Sequence, residues 1–183
     1  SRLLGAGKEE QARKVSSFSF YLSVGLSVLF SVGTALFMHP LLYGLGASGD
    51  TYVYARQYAF CVIVLGALPT VMSITLSNLL RSVSCAKQAG FGVSMGGVIN
   101  IFLDPLFMFV LFPAGMETAA AGIATMCSNR IVCVYYLAVL GKMRERTILT
   151  LSPGAGMPEK KEIGSIFSVG VPAALATLLF DLA

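Results

Sequence analysis

An amide and a carboxylate stand four residues apart in an otherwise oily stretch: Asn100 and Asp104, in GGVINIFLDPLFMFVLF. Between Gln88 and Phe112, Asp104 is the only charged residue. An acid in hydrocarbon is expensive and is kept where it faces protein, water or a cation. A helix puts residues four apart on one face, about 6 Å apart along its axis. Asn100 and Asp104 therefore offer an amide oxygen and a carboxylate to one small volume. That chemistry suits a proton or a hard cation such as sodium, and it points towards ion-coupled transport.

The composition says what must hold such a pair. The 183 residues are 56% hydrophobic and 12% charged, with a mean hydropathy of +0.78. A soluble domain is roughly 25% charged, and its helices carry polar faces that are missing here. A polytopic, all-α membrane protein is expected. The net charge of +4 is small, and its basic residues sit in short connectors, so nucleic acid is not an expected partner. Cys61, Cys85, Cys127 and Cys133 form no CxxC or Cys/His cluster and read as small apolar packing residues. The single histidine, His39, precedes Pro40 at a helix end and reads as an interfacial residue. The sequence shows no nucleophile–base pair, HExxH or phosphate loop, so no enzyme is expected.

A span needs roughly 20 apolar residues. Val15 to Met38, Tyr52 to Leu80, Gln88 to Phe112 and Thr118 to Gly141 qualify as four full spans. A fifth starts near Ile163, and the chain reads as a fragment of a longer protein. Gly44, Gly46 and Gly49 break the chain after the first span, and Pro113 and Gly115 end the third. Pro69, Pro105 and Pro172 predict kinks inside the second, third and fifth. Of the 13 Lys and Arg, all but Arg56 and Arg130 fall on the first, third and fifth connectors. The positive-inside rule makes those connectors cytoplasmic, so the first span runs from inside to outside. Ser19, Ser23, Ser27 and Ser31 on the first span, and Gly92 and Gly96 on the third, recur every four residues. Small residues at that spacing predict close helix packing.

Depth arithmetic extends the polar pair. Asp104 lies about 12 Å below the outer end of the third span, and Thr125 about 10 Å into the fourth, at 1.5 Å per residue. Both sit at one level on antiparallel neighbours. Asn129 shares the face of Thr125, one turn on, at the level of Asn100. A cluster of Asn100, Asp104, Thr125 and Asn129 is geometrically open to these spans. Arg130 lies about 140° round from Thr125 and is expected to point elsewhere, to snorkel, to pair with an acid on a further helix or to face a wet cavity.

SRLLGAGKEEQARKV, SNLLRSVSCAK, VINIFLDPLFMF, AAAGIATMCSN and GVPAAL, together covering nearly the whole chain, resemble the MATE (multidrug and toxic compound extrusion) transporters of the wider flippase superfamily. The resemblance implies a twelve-helix antiporter of two six-helix lobes. Residues 1–162 would be part of the amino-terminal lobe, helices 3 to 6 and the start of the inter-lobe loop. Residues 163–183 would open helix 7, with helices 1–2 and 8–12 outside this chain. It also implies a cation site using an aspartate on helix 1, the helix 5 pair matched by Asn100 and Asp104, and a helix 6 threonine matched by Thr125. Ser84 and Cys85 depart from the family's usual glycine and Asn or Asp after Arg81, in a cytoplasmic loop.

The expected activity is proton- or sodium-coupled export of organic, often cationic, drugs and toxic compounds by alternating access, in a multi-pass protein of a bacterial-type plasma membrane. Its partners would be small organic substrates and membrane lipid, with no cofactor beyond the coupling ion, held by Asp104 and Asn100 if it is sodium. Two other readings stand beside it: a flippase for lipids or lipid-linked oligosaccharides, and a non-transporting membrane scaffold.

Overall fold

The computed structural model describes residues 2–113, 115–143, 149–152 and 156–181. Arg144 and Arg146, which belong to the basic fifth connector, lie outside this set. Among the described residues there is no strand. A short α1 (Arg2–Gly5) leads into α2 (Glu9–Leu36), which begins earlier than the apolar run because Glu9 and Glu10 suit the positive end of a helix. Lys14 and Glu10 pair at 2.8 Å on that polar first turn. α3 (Met38–Gly44) is a separate short helix, and Gly46 and Gly49, with φ of 92° and 53°, carry the chain into the next span.

The second span is not one rod. α4 (Asp50–Ala59) passes through a π-helical turn (Phe60–Leu65) into α5 (Ala67–Ser82), with a bend of 49°. Pro69 has no N–H for the Leu65 carbonyl, which breaks the ladder. Gly66 fits the corner because a Cβ there would run into the Val62 carbonyl. The Ser31 hydroxyl, from the small-residue stripe on α2, donates to the Val64 carbonyl inside this turn. α6 (Ala86–Leu106) continues into a second π-helical turn (Phe107–Leu111) straight after Pro105. α7 (Glu117–Lys142) and α8 (Lys160–Asp181) complete the order.

Four continuous helices are long and apolar enough to cross a membrane: Glu9–Leu36, Ala86–Leu111, Glu117–Lys142 and Lys160–Phe180. The bent pair makes a fifth. The sequence expectation of an all-α transmembrane bundle holds, with the fifth helix itself long enough to span. The main core gathers at the end marked by Arg81 and Lys142, where Phe20, Leu76, Leu80, Ala89, Tyr136 and Leu140 are buried together. Membrane helices gain little from hiding oil in oil, so close packing must hold this core. Gly92 and Gly96 supply it: a Cβ on either would lie 2.5 Å from the Tyr136 ring or 2.6 Å from Val132 Cγ2. The Tyr136 hydroxyl, 1% exposed, donates to the Ala89 carbonyl at 2.7 Å. Beyond α7, the connector returns to α2, where Ser17 and Tyr21 donate to the carbonyls of Ser152 and Leu151 at 2.7 and 2.9 Å. The opposite end is lighter, with Met38, Leu42 and Ala59 forming a small cluster. His39 lies against Tyr43 and Tyr52 there with tilted rings, at 4.5 and 5.4 Å between ring centroids.

Candidate functional site

The packing of α6 on α7 fixes which polar groups meet. The glycine contacts to Val132 and Tyr136 set the rotation of both helices in the half nearer Arg81 and Lys142. One to two turns further out, the same faces bring Asn100 and Asp104 against Thr125. Asn100 Nδ2 donates to Asp104 Oδ1 at 3.2 Å and approaches Thr125 Oγ1 at 3.5 Å, the edge of hydrogen-bond range. The Thr125 hydroxyl donates back to the Ala121 carbonyl at 3.0 Å, so its oxygen is left to accept. All three side chains are half-buried.

Pro105 follows Asp104, and the π-helical turn begins at Phe107, three residues beyond the acid. π-Helical turns inside α-helices concentrate at functional sites. The helix is therefore irregular where the acid sits, and the ladder there is already interrupted.

The cluster can do limited and definite chemistry. It presents oxygen from a carboxylate and a hydroxyl, on two helices, to one volume; Asn100 turns its amide nitrogen, not the oxygen expected from the sequence, towards both because each is a better acceptor than donor there. Oxygen sets of this kind suit protons and hard cations; thiolate and imidazole, which select soft metals, are absent from it. Among the described residues no group of three or more His, Cys, Asp or Glu could hold a metal ion. A carboxylate and one hydroxyl do not complete the shell of a hard cation, so water or oxygens from further helices must supply the rest.

Of the five residues singled out in the sequence, the structure brings Asn100, Asp104 and Thr125 together. Asn129 goes elsewhere: its Nδ2 donates to Thr70 Oγ1 on α5 at 2.8 Å. Arg130 is exposed on this part of the bundle. Thr70 was missed, although a hydroxyl immediately after Pro69 in an apolar run was a visible signal. A cavity of about 290 Å³ lies between α5, α6 and α7, lined by Ser73, Ser77, Asn78, Arg81 and Asn129 among others. It extends from Asn129 towards the Arg81 end of the bundle.

The MatE family model matches residues 1–106. The multidrug export protein MepA of Staphylococcus aureus (strain NCTC 8325 / PS 47) is 26% identical over 179 residues, covering 98% of this chain and 38% of that protein. An inward-facing structure of a multidrug resistance MATE family transporter of the MOP superfamily matches with a TM-score of 0.88 and 27% identity, over 97% of this chain and 39% of that one. An outward-facing structure of such a transporter matches with a TM-score of 0.85 and 26% identity, over 97% and 38%. The chain thus spans about 38% of the length of the curated relatives it matches.

Proposed function

This chain belongs to the MatE family and is a multi-pass protein of the cell membrane, and from that premise we propose that it is part of a cation-coupled antiporter exporting organic, often cationic, compounds. On this reading residues 1–162 are helices 3 to 6 of the amino-terminal lobe with the start of the inter-lobe loop, and residues 163–183 begin helix 7. Helices 1–2 and 8–12 of the same protein complete two lobes in a bacterial-type plasma membrane.

The observation that carries the proposal is the Asn100–Asp104–Thr125 cluster, a carboxylate with two polar neighbours at one level of an apolar bundle. A charged Asp104 attracts a sodium ion or a proton, and either one neutralises it. Neutralisation removes the cost of holding charge in a half-buried place and changes which packing of the helices is favoured. A bound cation shifts the inward–outward equilibrium only by its difference in affinity for the two states. The likeness to both an inward-facing and an outward-facing relative supports a lobe that keeps its shape while rocking against its partner lobe.

A lipid-linked substrate would call for cationic side chains beside the cluster, and Arg130 stands about 140° round α7 from Thr125. The test is efflux of a fluorescent organic cation from vesicles bearing the full-length parent, under an imposed proton gradient and then a sodium gradient. Asp104→Asn is expected to abolish gradient-driven efflux while membrane insertion stays normal. Unchanged efflux in that variant would sink the coupling role, and the gradient that drives the wild type identifies the ion.

A further inference from the structure

The bend in the second span and the polar cluster are joined by residues to which no role has yet been given. Gly122, Thr125 and Asn129 lie along one side of α7, since residues seven apart return to within about 20° of the same direction. Both outer members of that row grip the bent span, one on each side of its corner. Before the corner, Cys61 packs so closely on Gly122 that a Cβ there would lie 2.8 Å from Cys61 Cβ. After the corner, Thr70 Oγ1 accepts the Asn129 amide at 2.8 Å. Thr70 is also the residue whose N–H resumes the helix by bonding the Gly66 carbonyl at 3.1 Å. Thr125, which faces Asn100, stands between the two grips.

We propose that Thr70 is a positioning residue for the cation site, clamping the Gly66 corner to α7 so that the angle of the second span sets where Thr125 stands relative to Asn100 and Asp104. The proposal rests on the reading of Asp104 as a cation site. Thr70 does not touch the cation; it acts through Asn129 and the backbone of α7. The Asn100 Nδ2 to Thr125 Oγ1 separation, 3.5 Å, is at the length where a small slide of α7 makes or breaks the contact. The hydrogen bond to Thr70 is shorter and ties elements far apart in sequence, so it is suited to hold that slide in register. A valine in place of Thr70 has nearly the same shape and cannot accept the amide. A serine keeps the oxygen and gives up a methyl group.

The experiment is a cation titration of the purified full-length parent, read as the rise in melting temperature. Sodium chloride is added at fixed pH against choline chloride, and a second series varies pH without sodium. Wild type, Asp104→Asn, Thr70→Val and Thr70→Ser are compared. Thr70→Val is expected to raise the half-saturating cation concentration roughly three- to tenfold, the size expected for one lost neutral hydrogen bond. Thr70→Ser is expected to stay within about twofold of wild type on the same scale. Thr70→Val matching wild type while Asp104→Asn loses the response would overturn the positioning role and leave the cation site standing. Equal impairment in Thr70→Ser would also overturn it, because packing of the methyl group would then be the cause. A response that survives Asp104→Asn would remove the cation site itself, and the role of Thr70 with it.

Discussion

At the scale of residues, the candidate site is a matter of where single oxygens sit. Asp104 supplies the charge, and Asn100 holds one of its oxygens at 3.2 Å. The Thr125 hydroxyl is committed as a donor to Ala121, so towards the cluster it can act only as an acceptor. Thr125→Val should therefore weaken cation binding by about three- to tenfold rather than abolish it, since it removes one neutral ligand and leaves the carboxylate. The check is the cation concentration for half-maximal efflux: an unaltered value would take Thr125 out of the site. Arg130 gives the contrasting case. It stands about 140° round α7 from Thr125, so Arg130→Gln should leave gradient-driven efflux within about twofold of wild type. A loss as deep as that of Asp104→Asn would show that Arg130 reaches the transport path.

At the scale of elements, glycines decide how near helices come and where one of them bends. The Gly92 and Gly96 row was legible as a packing face from spacing alone, and the structure supplies its partners, Tyr136 and Val132. Adding a side chain at Gly92 forces the Tyr136 ring away and strains its hydrogen bond to Ala89. Gly92→Ala should cost about 1–3 kcal/mol by overpacking, seen as a lower melting temperature of the purified full-length protein in detergent. No change in melting would mean that the ring moves aside freely. The bend was legible only in part. Pro69 announced a kink, but its size, 49°, and its corner at Gly66 depend on a π-helical turn and on the Ser31 hydroxyl from α2. Those are properties of two helices in contact, which no periodicity in one of them encodes.

At the scale of the whole molecule, charge sets the orientation. Arg81, Lys87 and Lys142 gather at the end that holds the main core, and the connector with Gly46 and Gly49 lies at the other. The positive-inside rule then puts Lys87 in the cytoplasm and Ser48 outside, and both residues are exposed. In a variant of the full-length protein lacking native cysteines, a cysteine at Ser48 should react with an impermeant thiol reagent on intact cells. One at Lys87 should react only after the membrane is opened. The reverse pattern would invert the topology, and with it the direction of every depth argument.

The sequence by itself determined the class of the protein, the number and order of its spans and the pairing of Asn100 with Asp104, and it predicts the orientation of the spans. Each of these is local: apolar length marks a span, loop charge gives its direction, and a spacing of four puts two side chains on one face. The level shared by Asp104 and Thr125 also followed, because rise per residue is constant along any helix. Only the tertiary structure decided which sides of the helices face each other. It turned Thr125 towards Asn100, turned Asn129 away to Thr70, and left Arg130 exposed. The reason is that helix rotation is set by contacts between distant parts of the chain, Gly92 with Tyr136, Gly96 with Val132 and Gly122 with Cys61, and a rotation of one residue's angle, about 100°, would exchange one neighbour for another without altering a single local pattern.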